Sequence, residues 1–183
     1  MRILLTGATG QLGTALLASA PVEFQVIACD RNQLDLADVD ASQALVMQQR
    51  PDWVLNAAAY TAVDQAELDS HLANIVNRDA PGAMAIALAT TGGRMLQIST
   101  DFVFDGQQGI PYQAQHPVAP LGVYGASKAA GEVQVRNALG DRAHVLRTSW
   151  LYGPVGRNFL LTMLRLHQAK AAAGEPLAVV ADQ

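Results

Sequence analysis

Five short apolar runs recur along the chain: Arg2-Ile3-Leu4-Leu5, Glu23-Phe24-Gln25-Val26-Ile27-Ala28-Cys29, Asp52-Trp53-Val54-Leu55-Asn56, Met95-Leu96-Gln97-Ile98-Ser99 and His144-Val145-Leu146-Arg147. Near-continuous hydrophobicity over so few residues is the mark of a strand buried on both faces. The intervening segments have helical character. One continues through Ala15-Leu16-Leu17, one covers about residues 41–49 before Arg50-Pro51, and a long one covers about residues 70–91. The long one closes at Gly92-Gly93, a C-terminal stop. Leu160, Leu161, Met163, Leu164 and Leu166 form a last helical apolar surface, which reads as packing surface. The alternation predicts an α/β fold: a Rossmann-like, doubly wound parallel sheet with helices on both faces. Ligands of such sheets bind beyond the carboxyl ends of the strands. Residues 7–13, Asp30, residues 57–61, 99–101 and 148–150 all follow strands and are expected along one edge.

The first strand runs into Thr6-Gly7-Ala8-Thr9-Gly10-Gln11-Leu12-Gly13. Glycines at 7, 10 and 13, between a strand and a helix, are a dinucleotide fingerprint with an expanded first spacing. Gly7 makes the tight turn, Gly10 lets backbone approach a pyrophosphate, and Gly13 lets helix and strand pack. Asp30, ending the second strand, suits a hydrogen bond to the adenosine ribose, which favours NAD. Arg31 beside it is a partner for a 2′-phosphate, so both NADH and NADPH remain in play. Asp35, with Leu36, is a candidate neighbour of the adenine, an exposed loop aspartate being the more ordinary reading.

In Tyr124-Gly125-Ala126-Ser127-Lys128, the Tyr and Lys stand at i and i+4 on one helix face. An ammonium near a phenol is expected to lower the phenol's pKa towards the range useful for proton transfer. The Thr100 hydroxyl is positioned to hold a substrate carbonyl before it. The spacing alone is weak, since Tyr and Lys are common on helix surfaces; the dinucleotide fingerprint is what gives it meaning.

Composition narrows the picture further. The chain has 183 residues, half of them hydrophobic and 15% charged, which excludes a disordered chain and suits one good-sized domain. A net charge of −4 argues against generic nucleic-acid binding. No apolar stretch approaches the roughly 20 residues that span a bilayer, and the first run breaks too soon for a signal-peptide core. A cytoplasmic location without membrane contact is expected. Cys29 is the only cysteine, in a strand, and reads as a small buried hydrophobe. His71, His116, His144 and His167 lack metal-ligand spacing, so no metal site is expected.

Together, TGATGQLG and YGASK resemble the extended short-chain dehydrogenase/reductase superfamily. A narrower likeness, to the dTDP-4-dehydrorhamnose reductases, rests on four further blocks. These are Asn56-Ala57-Ala58-Ala59-Tyr60-Thr61-Ala62-Val63-Asp64-Gln65-Ala66-Glu67, Ser99-Thr100-Asp101-Phe102-Val103-Phe104-Asp105-Gly106, residues 123–128 with Gly131-Glu132, and Arg147-Thr148-Ser149-Trp150-Leu151-Tyr152. The resemblance implies that Tyr124 is the proton donor, Lys128 its ribose-binding partner and Thr100 the carbonyl-orienting hydroxyl. It implies cofactor contacts at Gly10, Gln11, Leu12, Asp30, Ala59, Tyr60, Thr61 and Ile98, and substrate contacts at Thr100, Asp101 and Trp150. The implied reaction is NAD(P)H-dependent reduction of a dTDP-4-keto-6-deoxy sugar, dTDP-4-dehydro-L-rhamnose; a homodimer and a Mg²⁺ requirement are left open.

Phe102 stands where the family often has Tyr, leaving a packing role. Dehydratases of the superfamily commonly carry an acid at that position, so Phe102 favours reduction. An epimerase, or a non-catalytic dinucleotide-binding regulatory subunit of the same fold, is the alternative. Family members continue for about a hundred residues beyond the length seen here. Residues 1–150 are expected to form the NAD(P)-binding domain and 151–183 the start of an incomplete substrate lobe. Asn77 reads equally as a brace for the site and as a solvated helix residue. Asn158 is a candidate diphosphate contact.

Overall fold

A computed structural model describes residues 1–156 and 158–179. Five parallel strands, β1 (Arg2–Thr6), β2 (Gln25–Cys29), β3 (Trp53–Asn56), β4 (Arg94–Thr100) and β5 (Ala143–Thr148), lie in the order β2-β1-β3-β4-β5. The order reverses between β1 and β3, which is where a doubly wound sheet opens its crevice. Helices α1 (Gln11–Ser19), α2 (Val39–Gln49), α3 (Val63–Leu68), α4 (Ser70–Asn74), α5 (Ala80–Thr91) and α6 (Val123–Leu139) connect the strands. A further helix, α7 (Phe159–Ala173), follows the sheet. The chain divides into two compact units, Met1–Ser149 and Trp150–Gln183.

All five expected strands are present. The second starts at Gln25, two residues later than the apolar run suggests, because Phe24 N–H donates to the Pro21 carbonyl in a turn. The expected helix over residues 70–91 is a continuous run interrupted by one π-helical turn, Ile75–Asp79, and capped by Gly92 in the left-handed region.

The core follows from the pleat. Leu4, Val54 and Met95 are fully buried and lie opposite one another in register on β1, β3 and β4. Val46 of α2, Met84 and Leu88 of α5, and Val135 and Leu139 of α6 pack in the same cluster. Two residues further along each strand, hence on the same face, stands a polar row: Thr6, Asn56 and Gln97, all buried. It is satisfied internally. Thr6 Oγ1 donates to Asn56 Oδ1 (2.5 Å), Asn56 Nδ2 to Gln97 Oε1 (2.7 Å), and Gln97 Nε2 to the Ile98 carbonyl (2.9 Å). Buried polar groups persist when partnered in this way.

Helix α6 crosses the π turn at close range. A Cβ on Gly131 would lie 2.1 Å from the Asn77 carbonyl oxygen, a backbone atom that cannot step aside. Gly131→Ala is therefore expected to destabilise the fold by about 1–3 kcal/mol through overpacking, seen as a lower midpoint in urea unfolding; an unchanged midpoint would mean that α6 can shift away.

Candidate functional site

The glycine turn has the geometry a dinucleotide requires. Gly7 has φ of +68°, and a Cβ there would sit 2.8 Å from the Ala58 nitrogen after β3. Gly10 N–H donates to the Gly7 carbonyl (2.9 Å), and Gly10 caps α1, so Gln11 and Leu12 open the helix. A helix start carries amides without intrahelical acceptors and the positive end of the dipole. At Gly13 a Cβ would meet the Gly7 carbonyl at 2.1 Å, which explains the third glycine of the turn. The turn is tied to the end of β2 by Ala8 N–H donating to the Cys29 carbonyl (3.1 Å).

Asp30 follows directly. Its Oδ1 accepts from the amides of Asn32 (2.8 Å) and Gln33 (3.0 Å), fixing the carboxylate at the end of β2. Arg31 faces Asp35 at 3.5 Å in an exposed pair. Asp35, with Asp38 and Ile75, lines an open cavity of about 510 Å³. The Leu36 side chain is buried in the main apolar core with Leu34, which leaves its backbone for a ligand.

Residues after β3 are held by a buried amide. Asn77, 1% exposed, accepts from Tyr60 N–H through Oδ1 (2.9 Å) and donates through Nδ2 to the Tyr60 carbonyl and Ser127 Oγ, both at 3.0 Å. Ser127 Oγ donates in turn to the Tyr124 carbonyl (2.8 Å). Of the two readings open to Asn77, the brace is the one realised: it ties the segment holding Ala59, Tyr60 and Thr61 to α6. The Tyr60 side chain packs with Ala66, Ala73 and Tyr124.

At the end of β4, three consecutive residues meet three side chains spaced by four on α6. Thr100 adjoins the Tyr124 phenol closely enough to pull its pKa down, the Ile98 carbonyl accepts from Lys128 Nζ (2.6 Å), and Ser99 Oγ donates to Glu132 Oε1 (2.6 Å). The Thr100 hydroxyl also lies 3.0 Å from Asp101 Oδ1, and Ser149 Oγ donates to Asp101 Oδ2 at 2.6 Å. Phe102 stands edge-on to the Tyr124 ring, 5.6 Å between centroids, which is the packing role expected of it.

The electrostatics correct one expectation. Tyr124 is held above its ordinary pKa, mainly by burial; the Thr100 hydrogen bond pulls it down and the Asp101 charge pushes it up. The net direction is upward, the opposite of the lowering expected from Lys128, whose Nζ donates to the Ile98 carbonyl. Burial pushes Lys128 itself down to about 8, against which the Glu132 charge acts. The i, i+4 spacing puts the two side chains on one face, and burial shifts them in opposite directions.

Trp150 belongs to the second unit, with φ of +52°, and its ring lies edge-on to Phe159 at 5.0 Å. Asn158 caps α7 by accepting from Leu161 N–H (2.9 Å). Glu67, quoted in the sequence without a role, accepts from Val123 N–H at 2.7 Å and so caps α6 from α3. Among the described residues there is no group of three or more His, Cys, Asp or Glu side chains suited to a metal, and no helix is long and apolar enough to cross a membrane.

A parallel sheet with its order reversing beside a glycine turn, and a helix presenting Tyr and Lys to the next strand end, define a Rossmann-type α/β protein. The chain belongs to the family described as RmlD substrate binding domain, whose model matches residues 1–183. It is 44% identical, over its whole length, to a dTDP-4-dehydrorhamnose reductase of Burkholderia thailandensis, of which it covers 60%. It is 43% identical to a probable dTDP-4,6-dihydroxy-2-methyloxan-3-one 4-ketoreductase of Streptomyces antibioticus, covering 61% of that protein. A crystal structure of dTDP-4-dehydrorhamnose reductase from Bacillus anthracis in complex with NADP superposes with a TM-score of 0.87 at 39% identity, over 92% of this chain and 60% of that one. The chain thus spans about 60% of the length of these relatives.

Keeping Lys128 buried has a thermodynamic signature. Its folded pKa of about 8 lies below the ordinary 10.5, so between those values the unfolded chain binds more protons and stability rises with pH. Lys128→Met is expected to remove that rise relative to the parent chain and to add about 1–3 kcal/mol at pH 7. Urea unfolding of both proteins across pH 7–10 measures it; parallel pH profiles would show that Lys128 is not desolvated.

Proposed function

We propose that this chain is the dinucleotide-binding part of an NAD(P)H-dependent reductase of dTDP-4-keto-6-deoxy sugars, with dTDP-4-dehydro-L-rhamnose as the first substrate to test. The observation that carries the reading is the β4–α6 junction, which sets a phenol beside the Thr100 hydroxyl with Lys128 one helical turn on, at the strand end where a ketone could meet a proton donor. The relatives' names support the substrate class, and the Streptomyces antibioticus relative supports a 4-ketone as the common feature. Phe102 has no acid to serve elimination, which favours reduction over dehydration.

The residues present fit a dinucleotide. The glycine turn packs backbone on backbone at distances no Cβ would allow and so brings the first amides of α1 to the sheet edge. Asp30 fixes a carboxylate at the end of β2 where a ribose hydroxyl would be read, and Lys128 and Ile98 meet near the end of β4. When bound, the reduced nicotinamide supplies the hydride. Tyr124 delivers the proton to the developing alkoxide oxygen, Thr100 orients that oxygen, and Asp101 and Trp150 contact the sugar nucleotide. In this reading Gln11 and Leu12 serve the pyrophosphate, and Ala59, Tyr60 and Thr61 the middle of the cofactor. Residues 1–150 form the cofactor domain, and residues 151–183 contribute to the substrate lobe.

The direct test is NAD(P)H oxidation with the 4-keto sugar nucleotide, on this chain and on a form extended to the relatives' length. In the extended form, Tyr124→Phe is expected to lower turnover at least ~10²-fold with dinucleotide affinity little changed; near-normal turnover would remove Tyr124 from the chemistry. Asp30→Ala is expected to move cofactor preference towards NADPH, because the carboxylate no longer repels a 2′-phosphate and Arg31 is adjacent. An unchanged ratio of the kcat/KM values for the two cofactors would place Asp30 away from the ribose.

A further inference from the structure

We propose that the buried Glu132–Arg147 pair is a positioning device that holds Lys128 at the Ile98 carbonyl and sustains its charge. The inference rests on the reading above only in taking Lys128 as a functional residue. Glu132 is 2% exposed and lies one turn beyond Lys128 on α6. Its two oxygens are fully engaged: Arg147 donates through Nε to Oε1 (2.9 Å) and through Nη2 to Oε2 (2.6 Å), and Ser99 Oγ donates to Oε1. Arg136, largely exposed on the same helix, approaches Oε2 at 3.6 Å. The charged groups facing Glu132 are therefore Arg147 from β5, and Lys128 and Arg136 from α6, with Ser99 the polar contact from β4.

A carboxylate this buried would ordinarily be held neutral, yet its partners keep it ionised, with a pKa below the usual value. Lys128 is buried as deeply, and the Glu132 charge favours its ammonium form. Arg147 fixes the geometry. Besides the bidentate contact, its guanidinium lies over the Phe104 ring at 4.9 Å and donates to the Ala114 carbonyl at 3.2 Å. It thereby joins β5, α6 and the segment after Asp101, and keeps the carboxylate from turning away from Lys128.

The chain contains only two lysines, Lys128 and Lys170. NMR of protein labelled with carbon-13 at lysine Cε therefore follows Lys128 directly, with Lys170, paired with Glu175 beyond the sheet, as internal control. The titration needs neither substrate nor cofactor, so its outcome is independent of whether the chain is a reductase. Glu132→Gln is expected to move the Lys128 midpoint down by at least about 0.5 on the pH scale while the Lys170 midpoint stays. Because that variant leaves a guanidinium unpaired, the double variant E132Q/R147M, which removes both charges, is measured beside it and is expected to shift Lys128 in the same direction. An unmoved or raised Lys128 midpoint in the folded variants overturns the proposal. Loss of the fold in both also overturns it, by making the pair a structural tie alone.

Discussion

A lysine ammonium in a protein interior must be met by oxygen, and much of this fold is arranged around that demand from Lys128. The Ile98 carbonyl accepts from it directly, and the Glu132 charge, one helical turn on, favours it. Satisfying Glu132 then requires Ser99 and Arg147, and fixing Arg147 draws in Phe104 and Ala114. One buried charge accounts for contacts in two strands, one helix and one loop. Burying an ion with incomplete partners costs several kcal/mol, which is why each partner here has partners of its own.

The polar row across the sheet reaches the same carbonyl from the other side. Thr6, Asn56 and Gln97 pass hydrogen bonds from the strand that carries the glycine turn to the oxygen that Lys128 holds. The two features most characteristic of the sequence, the turn and the Tyr–Lys helix, are thus joined through three side chains placed one per strand by register. Apolar residues in those places would pack as well in the core, but they would leave the Ile98 carbonyl and the Ala58 amide, which approaches Thr6 Oγ1 at 3.4 Å, with fewer partners.

Strand positions and the doubly wound parallel class were legible because apolar runs alternating with helical segments leave local marks. The glycine turn was legible for the same reason: its spacing is local and each glycine has a steric cause. Partners far apart in sequence left no such mark. Glu132 and Arg147 stood in recognisable blocks, yet nothing in their spacing says that they touch, and Glu67 gave no sign of capping α6. The burial of Leu36 left no mark either, because a leucine after an acidic loop residue reads the same whether its side chain faces the surface or the core. The expected effect of Lys128 on Tyr124 failed on burial, which spacing cannot report: desolvation raised one pKa and lowered the other.

The π turn at Ile75–Asp79 has a bearing on helical phase. A π turn takes up one more residue than an α turn, so the helix before it and α5 after it are offset by about 100° of rotation relative to an unbroken α-helix. Asn77 lies within that turn and faces the Tyr60 backbone and Ser127, while α5 beyond it buries Met84 and Leu88 in the core. The bare surface of Gly131 is the notch into which the bulge fits, its α-carbon standing against the Asn77 carbonyl where any larger residue would collide.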